Sequence, residues 1–288
     1  LSDVVGLFWL GLMLPELERA SEWRDFGLTE TLREMDKQVL ADGADFESST
    51  GYHRFVLELF LYSFILCKEN GVEIPTRYSE KLHSMLKYVC DYLRPDGFAP
   101  LIGDADSGQV LPICRRSAND HGYVLAIGAA FLKDRELHSS KLIPSPELLW
   151  VLGENAVEAF KPTNAASPPP SRAYRDAGLY IMRQDDLYLS VNTSDAGLNG
   201  RGSHGHNDAL SIEVCIGDRR VAVGERRADP LRGVRRGAGG APATLDPRRL
   251  RLGRSRPQPL QGDRRDPRLG PVAVPGLGGS RSLRAARG

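Results

Sequence analysis

A chain of 288 residues with 41% hydrophobic residues is long enough for one large domain or two ordinary ones with a real core. Its formal net charge of +1 gives no reason to expect nucleic acid or an anionic membrane as partner. That average hides a division: residues 1–216 carry 20 Lys and Arg against 31 Asp and Glu, whereas residues 217–288 carry 18 Arg, no Lys and 6 acids.

Four cysteines, Cys67, Cys90, Cys114 and Cys215, are widely spaced without a CxxC, which argues against a disulfide framework or a zinc knuckle. The opening LSDVVGLFWLGLML runs 14 residues to Pro15, too short for a membrane span and without a basic start, so it reads as a core helix. The absence of Met at position 1 is read as an interruption of a longer chain.

Apolar spacing is helical as far as Lys161. Leu28, Leu32, Met35 and Val39 recur at three-to-four-residue steps and predict a helix over Phe26–Leu40, stopped by Asp42-Gly43. YHRFVLELFLYSFILC, Tyr52–Cys67, is apolar almost all round and predicts a buried helix capped by Ser49 or Thr50 and ended by Asn70-Gly71. Leu82, Met85, Leu86, Val89 and Leu93 form one stripe of a helix over Arg77–Leu93. Further helices are expected over Asp120–Leu132 and Pro146–Phe160. Helix following helix with short loops is the pattern of stacked helical hairpins, as a solenoid or a toroid.

PTNAASPPPSR, Pro162–Arg172, is a linker by composition. The period then changes to two: Gly178–Thr193 predicts a hairpin and Ala209–Gly217 a third strand. The expected organisation is a helical portion over residues 1–161, a linker over 162–172, the start of an antiparallel β-sandwich over 173–220, and a tail over 221–288. From Gly217 onward there is no Phe, Tyr, Trp, Ile, Met or Cys, and 21 of 72 residues are Pro or Gly, which cannot extend a sandwich core. A basic arm, a disordered tail and a stretch translated in a shifted frame of GC-rich DNA are the readings of this tail, the last preferred.

Three clusters can carry chemistry. In GRGSHGHNDALS, Gly200–Ser211, His204 and His206 share a face if the stretch is extended, about 7 Å apart along the chain. Two such imidazoles can serve as metal ligand and general acid or base, or simply belong to a solvated polar loop. In FESSTGYHRF, Phe46–Phe55, Tyr52, His53 and Arg54 open the buried helix after Glu47, placed either to hold an anionic sugar or to pack, with Arg54 paired to an acid. In PLIGDADSG, Pro100–Gly108, Asp104 and Asp106 are either a glycosidase pair or a turn bonding its own backbone.

Taken together, ADGADFESSTGYHRFVLELFL (Ala41–Leu61), RPDGFAPLIGDADSG (Arg94–Gly108), NDHGYVLAIGAA (Asn119–Ala130), DAGLYIMR (Asp176–Arg183) and GSHGHNDALSIEV (Gly202–Val214) resemble the heparinase II/III family of polysaccharide lyases. The resemblance covers most of residues 1–220. It implies an incomplete α/α toroid followed by an antiparallel β-sandwich, here truncated, with a cleft between them and a periplasmic or secreted setting. It implies β-elimination on an acidic, uronate-containing polysaccharide, with the uronate carboxylate neutralised, a base taking the C5 proton and an acid protonating the C4 oxygen. By the same resemblance His204, Tyr52 and His53 are catalytic. Arg54, Glu47, Asp104 and Asn207 bind substrate. His206 matches a histidine that holds a structural zinc in some members, although no His follows it to complete such a site. A toroidal glycoside hydrolase using Glu47, Asp104 or Asp106, and a non-catalytic carbohydrate-binding remnant, are the alternatives.

Overall fold

A computed structural model describes residues 1–106, 108–137, 144–160, 168–195, 197–202, 204–206 and 209–223. The expected tail therefore lies almost wholly outside the described residues.

The helical portion comprises α1 (Ser2–Met13), α2 (Ala20–Gln38), α3 (Thr50–Glu69), α4 (Thr76–Tyr92), α5 (Gly122–Leu132), α6 (Pro146–Leu152) and α7 (Glu154–Ala159). The first two cross closely because glycines sit at the contact: a Cβ on Gly11 would lie 2.3 Å from the Ala20 carbonyl oxygen, and one on Gly27 2.5 Å from the Phe8 nitrogen. The central element is α3, apolar around its whole circumference and correspondingly enclosed by its neighbours. Its start is set by Ser49, whose hydroxyl accepts from the Tyr52 N–H. Around it α4 contributes Leu82, Met85, Leu86 and Val89, all fully buried, and α5 contributes Val124, Leu125 and Ile127.

The sequence predicts one helix over Pro146–Phe160, but there are two. Gly153, at φ +80°, ends α6 and starts α7, a backbone conformation glycine adopts without the strain a side chain would bring. The helix expected over Phe26–Leu40 begins earlier, at Ala20. Among the described residues no helix is long and apolar enough to cross a membrane.

The β portion is a five-stranded antiparallel meander in the order β1 (Arg172–Tyr174), β2 (Leu179–Gln184), β3 (Leu187–Asn192), β4 (Ile212–Ile216), β5 (Arg219–Val223). The expected hairpin and third strand are there; β1 and β5 flank them. A four-residue helix, α8 (Gly197–Gly200), interrupts the β3–β4 connection. Alternation fixes the register: Leu179, Ile181, Tyr188 and Cys215 point into the core, while Tyr180, Met182, Leu187, Ile212 and Ile216 stand on the exposed face.

The seam between helices and sheet is polar and specific. Arg94 donates to Glu213 at 2.8 Å, and Glu213 also accepts the Leu101 N–H at 2.9 Å. The Tyr174 hydroxyl donates to Asp91 at 2.6 Å, that of Tyr188 to the Tyr92 carbonyl at 2.8 Å, and Asp42 accepts the N–H groups of Asp176 and Ala177. These bonds join groups 83 to 135 residues apart in sequence and tie the sheet to the helical portion.

Candidate active site

Three loops meet backbone to backbone at the N-terminus of α3, and glycine makes each approach possible. Gly103 is at φ +66°, and a Cβ there would lie 2.5 Å from the His204 carbonyl oxygen and 2.8 Å from that of Ser48. A Cβ on Gly197 would lie 2.2 Å from the Glu47 carbonyl oxygen. The Asp104 N–H donates to the His204 carbonyl at 2.9 Å, and the Ser49 hydroxyl donates to the Asp104 carbonyl at 2.7 Å. A residue of the β portion is thereby brought to the first turn of a helix in the α portion.

The side chains follow. The imidazole of His204 stacks on the Tyr52 ring, centroids 3.5 Å apart and planes 19° from parallel. Its Nδ1 is 3.0 Å from Asp104 Oδ2 and its Nε2 is 3.5 Å from Glu47 Oε2. His206 places Nε2 2.5 Å from Asp104 Oδ1. The Tyr52 hydroxyl donates to Asp106 Oδ2 at 3.2 Å, and Asp106 Oδ1 accepts the Gly108 N–H at 3.0 Å. Asp106 is thus both a turn residue and a partner of the tyrosine.

Electrostatics assign protonation states. Burial raises the Asp104 carboxyl pKa, but hydrogen bonds from His204 and His206 outweigh it and leave the group below its ordinary value. Glu47 is raised, chiefly by burial. Tyr52 is raised by burial and then by Asp106, so its hydroxyl keeps its proton at neutral pH.

Two residues the sequence groups with Tyr52 lie elsewhere. His53 is expected at the catalytic centre, yet it is 1% exposed: Nδ1 accepts the Asp45 N–H at 3.0 Å and Nε2 faces the Met85 carbonyl at 3.2 Å. Burial pushes it down to about 4, so it is a neutral core histidine with both nitrogens engaged. Arg54 is expected to meet the uronate, but its guanidinium is 2% exposed, paired with Glu58 at 3.3 Å and donating to the Gly108 carbonyl at 2.6 Å. Both follow the packing alternative, because the inward face of α3 is enclosed.

Glu58 and Tyr123 belong to no sequence cluster but brace this corner. Glu58 accepts from the Tyr123 hydroxyl and, at 2.6 Å, from the Val110 N–H; burial lifts its pKa to about 7. Arg54 and Glu58 together hold the loop that presents Asp104 and Asp106. A glutamate inside a helix that is otherwise apolar all round was the available signal.

Asn207 lies outside the described residues. Among the described residues no three His, Cys, Asp or Glu side chains are arranged to hold a metal ion. His206 turns Nε2 to a carboxylate that can only accept, so that nitrogen carries the proton and the lone pair is on Nδ1. Among the described residues His206 has no companion ligands that would complete the structural zinc site the resemblance implies. A separate cavity of about 900 Å³, lined by Lys87, Arg94, Phe98, Arg116, Arg183 and Leu187 among others, includes none of the clustered residues.

Comparison with known proteins agrees with this architecture. The family described as "Heparinase II/III N-terminus" matches residues 1–120, and "Heparinase II/III-like, C-terminal" matches residues 166–224. A heparin-sulfate lyase of Pedobacter heparinus is 31% identical over 97 residues, covering 33% of this chain and 15% of that protein. One from Bacteroides stercoris is 28% identical over 107 residues, covering 36% and 16%. Among solved structures, a heparan sulfate lyase from Pedobacter heparinus aligns with a TM-score of 0.55 at 21% identity over 76% of this chain and 31% of its own, and a heparinase III with 0.57 at 19% over 76% and 33%. The chain thus spans about a third or less of the relatives it matches. With both family regions matched in order, and an incomplete α/α toroid leading into an antiparallel sheet, the chain belongs to the heparinase II/III-like family.

Proposed function

We propose that this chain carries the catalytic corner of a polysaccharide lyase that cleaves uronic-acid-containing polymers, of the heparan sulfate type, by β-elimination. The observation that carries the reading is the stack of His204 on Tyr52, one from each portion of the chain, with carboxylates on both edges of the imidazole. His204 Nε2 takes the proton from C5, breaking that C–H bond. The electron pair forms the C4–C5 double bond as the C4–O bond breaks, and Tyr52, which keeps its hydroxyl proton at neutral pH, supplies a proton to the departing oxygen. The Asp104 and Glu47 carboxylates stabilise the imidazolium formed in the first step. Glu47 and Asn207 remain the proposed contacts to the sugar.

The test is incubation of the chain with heparan sulfate and other uronate polymers, read by near-ultraviolet absorbance of the unsaturated product. His204→Ala should lower the rate about 10²–10⁴-fold while the helical circular dichroism stays unchanged. A variant rate within about threefold of wild type defeats the assignment. New reducing ends without ultraviolet absorbance would point to the glycoside hydrolase alternative. Both Asp104 oxygens already meet histidines, which favours the lyase over an Asp104–Asp106 hydrolytic pair.

A further inference from the structure

Asp104 sits between the two histidines and touches both. Oδ2 meets His204 Nδ1 at 3.0 Å and Oδ1 meets His206 Nε2 at 2.5 Å. An ionised carboxylate has no proton to give, so each of these nitrogens must be the protonated one. The consequence differs for the two rings. Glu47 Oε2 stands 3.5 Å from His204 Nε2 without a hydrogen bond, so the closer Asp104 contact decides: His204 is held as the Nδ1–H tautomer with its lone pair on Nε2, while His206 is held as the Nε2–H tautomer with its lone pair on Nδ1.

The carboxylate is itself held rigidly. Its residue's N–H donates to the His204 carbonyl, and its carbonyl accepts the Ser49 hydroxyl. A Cβ on Gly51 would lie 2.6 Å from that same carbonyl oxygen, so the loop rests directly on the first turn of α3. Further along α3, Arg54 donates to the Gly108 carbonyl and Glu58 accepts the Val110 N–H, which anchors the far end of the loop. Side chains at helix positions 49, 54 and 58 thus set where Asp104 stands relative to His204.

We infer that Asp104 is a positioning residue of the elimination reaction, not a sugar-binding one: it selects the His204 tautomer whose Nε2 can accept a proton and ties His206 into the same clamp. This rests on the lyase reading for its catalytic consequence, but the tautomers themselves do not depend on it. Without the clamp a neutral imidazole distributes between tautomers, and in the Nε2–H form His204 has no lone pair where the C5 proton must go. His206, whose partner is the same carboxylate, acts as the second restraint on the loop.

The experiment uses the full chain and Asp104→Asn, which preserves shape, removes the charge and offers only one acceptor oxygen. Two-bond ¹⁵N–¹H correlation spectra, with His204→Gln and His206→Gln to assign the rings, report which nitrogen carries each proton without any substrate. The expected wild-type result is Nδ1–H for His204 and Nε2–H for His206, with at least one ring losing its single tautomer in Asp104→Asn. Asp106→Asn, which acts on Tyr52 instead, should leave both rings as they are and serves as the folding control. In the product assay on heparan sulfate, Asp104→Asn should lower kcat about 10²-fold with KM within about threefold. Nε2–H on wild-type His204, or both tautomers unchanged in Asp104→Asn, overturns the inference. So does a raised KM at unchanged kcat, the signature of a substrate contact. If wild type eliminates no uronate polymer, the lyase reading fails on its own and the tautomer spectra still decide the clamp.

Discussion

Replacing Arg94 by Met removes a guanidinium that is 5% exposed and bound on two sides, to Glu213 at 2.8 Å through Nη1 and to Asp96 at 2.9 and 3.1 Å through Nη2 and Nε. Burial works against its charge, yet the hydrogen bonds to Asp96 and Glu213 outweigh that and hold its pKa above the ordinary value. Met fills much of the space, but Glu213, 6% exposed, is left with the Leu101 N–H and no counter-charge. Breaking a buried pair from one side costs about 3–5 kcal/mol. For a folded unit of this size that corresponds to a fall in Tm of roughly 6–20 °C. Urea unfolding followed by circular dichroism measures it, with Arg33→Met as comparison, since the exposed Arg33–Glu30 pair should cost no more than about 1 kcal/mol. The double variant Arg94→Met with Glu213→Leu should regain part of the loss, because the stranded charge goes while the Leu101 N–H stays unsatisfied. A single-variant loss below about 1 kcal/mol would show that the helix–sheet seam does not depend on this pair.

Two further outcomes are expected. Asp45 is buried, has one carboxyl oxygen without a hydrogen-bond partner, and is pushed by burial up to about 8 from an ordinary 3.8. A raised folded-state pKa gives stability that is present below about pH 4 and lost as pH rises through 8, so Asp45→Asn should flatten the decline by up to about 1.4 kcal/mol per pH unit. His53 and His121, lowered by burial to about 4 and about 3, act in the opposite direction below pH 6.5 in both proteins, so the difference between the two unfolding curves isolates Asp45. Identical pH profiles would show that Asp45 stays ionised. Gly103→Ala forces a Cβ to within 2.5 Å of the His204 carbonyl at φ +66°. It should lower stability by about 1–3 kcal/mol and depress product formation more than about tenfold, and a wild-type melt and rate would show that the loops can part without consequence.

The architecture was legible where one period dominates. The stripe Leu82, Met85, Leu86, Val89 and the alternation Leu179, Ile181 each have one face to bury, and the structure buries it. The break at Gly153 was harder to see, because Pro146–Leu152 and Glu154–Ala159 continue a helical composition on both sides of a single residue whose φ decides the matter. Strand β5 follows β4 after a two-residue turn, and its RRVAV groups two charged residues and then three apolar ones, so no alternation announces it. In the candidate site, the two imidazoles of the HxH pair meet one carboxylate. What spacing could not show is that a single acid from a segment 100 residues earlier lies between them.

The stretch ESSTGYHR shows why adjacency in sequence misleads at a helix start. Successive residues of an α-helix point about 100° apart. Tyr52 turns outward and stacks on His204. His53 then points to Asp45 and Met85, and Arg54 to Glu58 and Gly108. A Tyr-His-Arg triplet that reads as one catalytic cluster is therefore three directions, only one of them toward His204. The two that turn inward still act on the site, through Arg54's hold on the loop carrying Asp104 and through His53's hold on the Asp45 backbone just before Glu47. A helix that supplies one reacting side chain and braces the loops presenting the others can concentrate chemistry at its first turn. The same arrangement explains why a chain covering a third or less of its relatives brings together groups from both portions of their fold.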